Sequence, residues 1–380
     1  MTDGSHSWLP EHQLGVAATL SHADDLIGQV GDLLFEYQLQ PDVLRLAEVP
    51  TGAFSKTVVE RVAPIPRKVP LLVADALVAL RAALEHVLFA EVEFLDGSPL
   101  DKKAARLIEM PASTTWEHFE EWKKQRRRNG PPSLRTGGAL LRRIGGLQPY
   151  HRPHDPHEHP LARLTLHTNH AKHRMPAVTA VRLAAMYRDD QRPRSLKDLP
   201  PRPETPMRVG DVLAETPIGV QIPVSLFPTI GINRPDTDRW PVLMHELDEI
   251  FHWVRTQAVP RLITSTDPPS PALPTHYEIA VGHENERQAI AAGSTTSAAE
   301  RHSNRTNAAW AREELVHLIG QMPSAPTCAQ IVAWLDHLTD EEVVARVKRL
   351  HPTDSQYNAA VMAGLRAEAS DFEDDQSASA

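Results

Sequence analysis

The stretch from Leu77 to Phe89, "LVALRAALEHVLF", is the most apolar helical pattern in the chain, and it contains an arginine. At about 100° per residue, its leucines share one stripe of a helix, and Arg81 lies about 40° from the centre of that stripe. Burying an unpaired guanidinium is costly, so Arg81 needs an acid, a carbonyl or a charge from another chain. Glu85, four residues further on, is well spaced to form a structural ion pair.

His86 follows Arg81 by five residues, which places it about 140° around the same helix. The surrounding face consists mostly of small alanines, which permit another helix to approach closely. Arg81 and His86 cannot converge well within one straight helix. Two copies of the helix crossing at a dimer interface could bring both pairs together.

Composition excludes several classes of protein. No run approaches the roughly 18 apolar residues that a membrane span needs, and the first residues lack the basic start and apolar centre of a signal peptide. A cytoplasmic location is the resulting expectation. The single Cys328 cannot form an internal disulfide or a thiolate zinc site. Phosphate-binding glycine motifs and a nucleophile elbow are absent from the sequence, so no cofactor is expected.

Periodicity predicts a mainly α-helical fold with small β insertions. Helical patterns run from Leu14 to Leu39, from about Pro66 through the arginine-bearing stretch, from Ser113, from Pro160 to about Met186, and from Pro241. Residues 42–66 are β-branched in places and predict two strands or extended pieces around a turn, and the period of two within 203–232 predicts a hairpin or small sheet. We expect a helical core over 1–265, a low-complexity linker over 266–306, a small helical module over 307–365 and a disordered acidic tail over 366–380.

The net charge of −9 argues against general binding of nucleic acid by the whole surface. One strip, from Lys123 to Arg143, nevertheless carries eight cations and no acid. A basic helix end suits the helix dipole, so a solvated terminus is one interpretation and a phosphate-binding patch is the other. The candidate RNA contacts in this strip are Lys123, Lys124, Arg126, Arg127 and Arg128.

Histidines form a second anomaly. The loop "HRPHDPHEHP", residues 151–160, offers ligand types suited to zinc, but its spacing matches no defined metal motif, and we assign no metal site. A solvated, proline-rich loop is the favoured interpretation. Further along, Lys172, His173 and Arg174 are adjacent and form a second candidate for phosphate contact.

Two sets of motifs carry a resemblance to known proteins. Arginine, four residues and then histidine, as in "LRAALEH", is similar to the signature of the HEPN superfamily of helical ribonucleases and RNA-binding proteins. The segments "ADALVALRAALEHVL", "LQPYH" from Leu147 and "HTNHAKHRMP" from His167 also resemble, in order, an uncharacterised and mostly bacterial family within that group. The likeness covers about residues 15 to 263. It departs from the family pattern at Ala82 and Ala171.

The resemblance implies a HEPN-like helical bundle that forms a homodimer and cleaves RNA without a metal. In that chemistry the ribose 2′-hydroxyl attacks its own phosphate, a histidine moves protons, and an arginine holds the charged oxygens. Arg81 and His86 are the residues implied as catalytic. A role as a toxin or an effector of antiviral defence would follow.

Two other functions remain open from the residues alone. In the first, the chain is a non-catalytic interaction protein or scaffold, Arg81 pairs structurally with Glu85, and the carboxy-terminal module docks a protein partner. In the second, the histidine loop forms a metal-dependent hydrolase.

Overall fold

A computed structural model describes residues 6–135, 138–188, 199, 202–220, 223–265, 267–351 and 354–377. It confirms a mainly α-helical chain with small β-sheets. The α-helices are α1 Gly15–Gln38, α2 Lys68–Asp96, α3 Lys102–Ala105, α4 Trp116–Asn129, α5 Ala139–Gly145, α6 Pro160–His173, α7 Leu243–Trp253, α8 Val259–Thr264, α9 Glu286–Ala291, α10 Ala298–Gly320, α11 Cys328–His337, α12 Asp340–Val347 and α13 Ser355–Ser377. The strands are β1 Leu44–Thr51, β2 Phe54–Val62, β3 Thr179–Arg188, β4 Val212–Pro217 and β5 Val224–Ile232.

The first of two compact units contains residues up to Ala184, Pro203–Val220 and Pro228–Ala299. Helix α2 is the centre of its core and packs against α1, α6 and α8. The leucine stripe predicted from the sequence is buried throughout, at Leu77, Leu80, Leu84 and Leu88. Helix α2 ends at Asp96 and is capped by Gly97, whose left-handed φ of 65° suits a residue without a side chain.

Strands β1 and β2 form the predicted hairpin around Gly52, and β4 pairs with β2 to complete a three-stranded sheet. One prediction is wrong in this region. Helix α6 ends at His173 instead of near Met186, because Pro176 interrupts it and the β-branched residues that follow favour a strand. The strands predicted within 203–232 are present and lie in small sheets, where β4 joins β2 and β5 joins β3 instead of forming a hairpin with each other.

Residues 267–299 belong to the first unit, which ends at Ala299 and not at the predicted boundary near 265. The reason is burial: Leu273, Tyr277, Ile290 and Ala298 are part of the first unit's core. The low-complexity composition of this segment concealed these widely spaced apolar anchors.

The second unit contains residues 300–380 together with 185–202 and 221–227. Its core is helical and includes Leu315, Ile331, Trp334 and Leu365. Helix α12 begins with the predicted capping box between Thr339 and Glu342. Helix α13 continues to Ser377 through most of the tail predicted to be disordered, and Ala369 in that stretch is buried.

Within the ranges given above, none of the helices combines the length and the apolar character required to cross a lipid bilayer.

The central position of α2 predicts unequal effects of two leucine substitutions on this helix. Leu80 is fully buried, so Leu80→Ala should lower the free energy of unfolding by about 2–5 kcal/mol through lost contacts and a residual cavity. Leu71 is 52% exposed, and Leu71→Ala should cost less than about 0.5 kcal/mol. Urea unfolding monitored by circular dichroism measures both, and equal losses would contradict the placement of α2.

Candidate functional site

Arg81 lies on the core side of α2 with 13% of its side chain exposed. Its Nη2 contacts the Glu85 carboxylate at 2.7 Å and donates to the carbonyl oxygen of Met110. Its Nη1 donates to the hydroxyl of Thr165 on α6 at 3.1 Å. The guanidinium therefore joins α2 to α6 and to the segment that precedes α4.

Glu85 completes this arrangement, because its Oε2 accepts a hydrogen bond from the Met110 amide at 2.9 Å. Both peptide groups of Met110 are thus held by α2, and we call this arrangement the Met110 clamp. Burial raises the pKa of Glu85 above its ordinary value, against the opposing attraction of Arg81. The predicted ion pair is present, and it has a structural role.

His86 is exposed on α2. The spacing of five residues directs it away from Arg81, and a single chain does not bring the two predicted catalytic side chains together. The prediction that they act as a pair depends on a second copy of the chain.

A cavity of about 440 Å³ lies along α6. It is lined by Thr165, Asn169 and Arg174 from α6 and its end, by three histidines, and by residues from neighbouring segments. The histidines are His157, His170 and His173. We call this the histidine–arginine cavity. Since Thr165 accepts a hydrogen bond from Arg81, the predicted Arg81 region and the predicted phosphate-contact segment meet at the same place.

Arg174 and His173 are exposed at this cavity, whereas Lys172 is exposed but is not among its lining residues. Arg174 pairs with Asp236 at 3.0 Å, and both side chains are well exposed to solvent. A pair exposed in this way contributes little to stability, so an incoming phosphate could compete for the guanidinium at low cost.

The cations at the basic end of α4 differ in their exposure to solvent. Lys124, Arg127 and Arg128 are exposed, and Lys123 is half-buried. Arg126 is the exception among the candidate RNA contacts: its guanidinium donates to the Leu107 carbonyl, pairs with Glu109 at 3.1 Å and lies over the Trp122 ring. This placement gives Arg126 a structural role in place of the predicted RNA contact.

Two side chains of the histidine loop, His159 and Asp155, form hydrogen bonds with nearby backbone amides. His159 caps α6, its Nδ1 accepting from the Leu161 amide at 3.1 Å, and burial lowers its pKa to about 4, assisted by the nearby Arg152 and Arg163. Asp155 accepts from the His157 amide at 3.2 Å. Across the described ranges, no three histidine, cysteine or acidic side chains are grouped so as to hold a metal ion.

Sequence reasoning missed a buried ionic network that joins α6 and α7. Glu246 on α7 is 1% exposed and accepts from Arg163 at 2.7 Å, from Arg234 at 2.8 Å and from His167 at 3.3 Å. Burial opposes its ionisation, but hydrogen bonds from His167 and Arg234, with the charges of Arg163 and Arg234, lower its pKa to about 2. The apolar pattern of α7 offered a weak signal, because Glu246 falls next to Leu247 on its buried side.

No match to this chain was found among protein-family models, curated proteins or solved structures.

The Met110 clamp predicts that Arg81→Ala lowers thermal stability. The substitution removes the Arg81 donor from the Met110 carbonyl and the cationic partner from the Glu85 carboxylate, at a cost of about 2 kcal/mol. Arg128→Ala, at an exposed arginine, is the matched control and should leave the melting temperature unchanged. Loss of a function with unchanged melting in Arg81→Ala would instead identify the guanidinium as a chemical group.

The Glu246 network predicts a pH dependence of stability. Because the pKa of Glu246 in the folded chain is below its ordinary value of 4.5, its contribution is present above about pH 4.5 and is lost as the pH falls towards 2. Glu246→Gln should destabilise the protein at pH 7 by about 3 kcal/mol, since it leaves buried cations without their counter-charge. The difference in stability between this variant and the wild type should become smaller as the pH falls.

Thermal melts from neutral pH down to about pH 3 measure this difference. Glu249→Gln is the matched control on the same helix: Glu249 also pairs with Arg163 at 2.7 Å but is 63% exposed. It should cost less than about 1 kcal/mol. A difference between Glu246→Gln and the wild type that stays constant with pH would contradict the assignment of the titration to Glu246.

Proposed function

We propose that this chain is an RNA-binding protein and that the histidine–arginine cavity receives a phosphate of the RNA backbone. The observation that carries the proposal is the convergence of distant parts of the sequence on one cavity. Thr165, which is bound to Arg81 of α2, lines it together with His173 and Arg174. His157 and Asp236 reach the same cavity from other segments. A guanidinium, an amide and imidazoles are suitable donors to phosphate oxygens.

The geometry supports binding more directly than cleavage. Arg81 has donors committed to Glu85, Met110 and Thr165, and it contributes to the cavity through the Thr165 hydroxyl. Thr165 is therefore oriented by Arg81, and Asn169 follows one turn later on the same helix.

We also propose, from the resemblance to HEPN proteins, that the protein cleaves RNA without a metal. In this proposal two copies of α2 cross, and Arg81 and His86 of both copies act together on one phosphate. The histidines of the cavity are alternative proton donors and acceptors, because imidazole titrates near neutral pH. The small residues around His86 support close approach of the second helix.

A non-catalytic interaction protein is the second candidate. Its support is the Met110 clamp, which gives Arg81 a complete structural role without any ligand. Under this function the second helical unit would dock a protein partner.

Binding and cleavage of total RNA by the purified chain test these functions together. If the cavity receives phosphate, the double variant His173→Ala/Arg174→Ala should weaken RNA binding about tenfold and reduce the salt dependence of binding by about one to two phosphate contacts. His317→Ala, at an exposed histidine of the second unit, is the matched control and should bind as the wild type does.

Cleavage is followed on the same RNA with and without a chelator. Chelator-resistant cleavage that is lost in His86→Ala supports the dimeric ribonuclease. Binding without cleavage supports the RNA-binding function alone, and folded protein that neither binds nor cleaves RNA would reject both in favour of the interaction protein. Cleavage abolished by the chelator would point to metal-dependent hydrolysis.

A further inference from the structure

A second concave surface lies between α4 and α5 and encloses about 500 Å³, a volume within the usual range for small-molecule sites. We call it the α4–α5 cleft. Its walls combine aromatic rings with cations: Trp116, Phe119 and Tyr150 with Lys123, Lys124, Arg127 and Arg142. Rings and cations together suit a ligand that has both flat faces and negative charge.

The aromatic wall is built around Trp116. Its ring meets Tyr150 edge-on at a centroid distance of 5.5 Å and Phe119 at 6.2 Å. Trp116 is nevertheless 52% exposed, which is unusual for so large an apolar ring. The partners fix its orientation, and the remaining surface is open to a ligand.

The cations are arranged around this ring. The Lys123 Nζ lies 5.0 Å from the Trp116 centroid and 5.3 Å from that of Phe119, and it also pairs with Glu120. Glu120 also lines the cleft, and its negative charge is neutralised by the ion pair with Lys123. Lys124 and Arg127, one turn apart on α4, are exposed beside the rings.

Two glycines, Gly145 and Gly146, also line the cleft. A Cβ at Gly145 would lie 3.2 Å from the Phe119 ring, so the backbone of α5 packs directly on that buried ring. This contact closes the floor of the cleft and leaves the half-exposed Trp116 as the ring on which a flat group can stack.

We propose that the α4–α5 cleft binds an unpaired base of single-stranded RNA, which stacks on Trp116 while adjacent phosphates contact Lys124 and Arg127. This inference rests on the proposed RNA-binding function and defines its substrate class. Bases in a duplex are stacked on one another and cannot reach a protein ring, whereas every unpaired base has a free face for stacking.

The test compares three probes by fluorescence anisotropy and tryptophan quenching: labelled oligouridylate, the same strand paired with oligoadenylate, and uridine monophosphate. Trp116→Ala should weaken oligouridylate binding about tenfold, the loss typical of one base–aromatic stack. Trp116→Phe should retain most of the affinity. Duplex binding should be weaker than that of the single strand and insensitive to Trp116→Ala.

Trp310→Ala is the matched control, because Trp310 is 55% exposed in the second unit and stacks on Phe227 at 5.2 Å. It should not alter binding. If Trp116→Ala melts early, the variant Lys124→Ala/Arg127→Ala, which changes only exposed side chains, should show the same selective loss for oligouridylate.

The outcomes separate the two proposals. If the wild type binds oligouridylate and Trp116→Ala binds it equally well, the proposal that the cleft binds a base is overturned, whereas the proposed RNA-binding function is not. No binding of any RNA by folded wild-type protein would overturn both. Uridine monophosphate binding as tightly as oligouridylate would overturn RNA as the occupant and make the ligand a free nucleotide.

Discussion

The interior position of α2 is the constraint on which the first unit depends, because this helix carries charged residues into an apolar core. Arg81 is satisfied by Glu85, by the Met110 carbonyl and by Thr165. One turn beyond the leucine stripe, Glu91 is buried and pairs with Arg143 at 3.0 Å. Buried charges are tolerated only when such partners are supplied, so each fixes the position of a neighbouring segment. The charges of α2 thereby determine how the surrounding elements pack.

A structural arginine and a functional surface are compatible in this arrangement. The clamp holds Met110, and the chain from there passes Thr114 at the histidine–arginine cavity before reaching Trp116 at the α4–α5 cleft. Immediately before Thr114, the Ser113 carbonyl accepts a hydrogen bond from the Tyr150 amide at 3.2 Å. Arg81 therefore positions the segment shared by both candidate RNA sites, and a loss of binding in an Arg81 variant would need to be separated from a loss of order in this segment.

The cationic strip from Lys123 to Arg143 shows that the sequence locates charged residues but does not tell which of them reach the surface. The sequence identified a run of cations but could not assign their directions, because three adjacent arginines point around more than half of a helix. In the structure Arg126 turns inward onto Trp122, while Arg127 lines the cleft. The same limit applies to β3, whose hydrophobic residues continued the pattern of α6 closely enough to hide the change of structure after His173.

Local periodicity by itself determined the mainly helical fold, the central apolar helix, the β1–β2 hairpin and the pairing of Arg81 with Glu85, since all of these depend on residues close together in the chain. Only the tertiary structure decided which distant groups meet. It brought Thr165 to Arg81, three arginine and histidine side chains to Glu246, and Tyr150 to Trp116. Such contacts depend on the relative positions of whole elements, which the packing of the core sets and which no local pattern encodes.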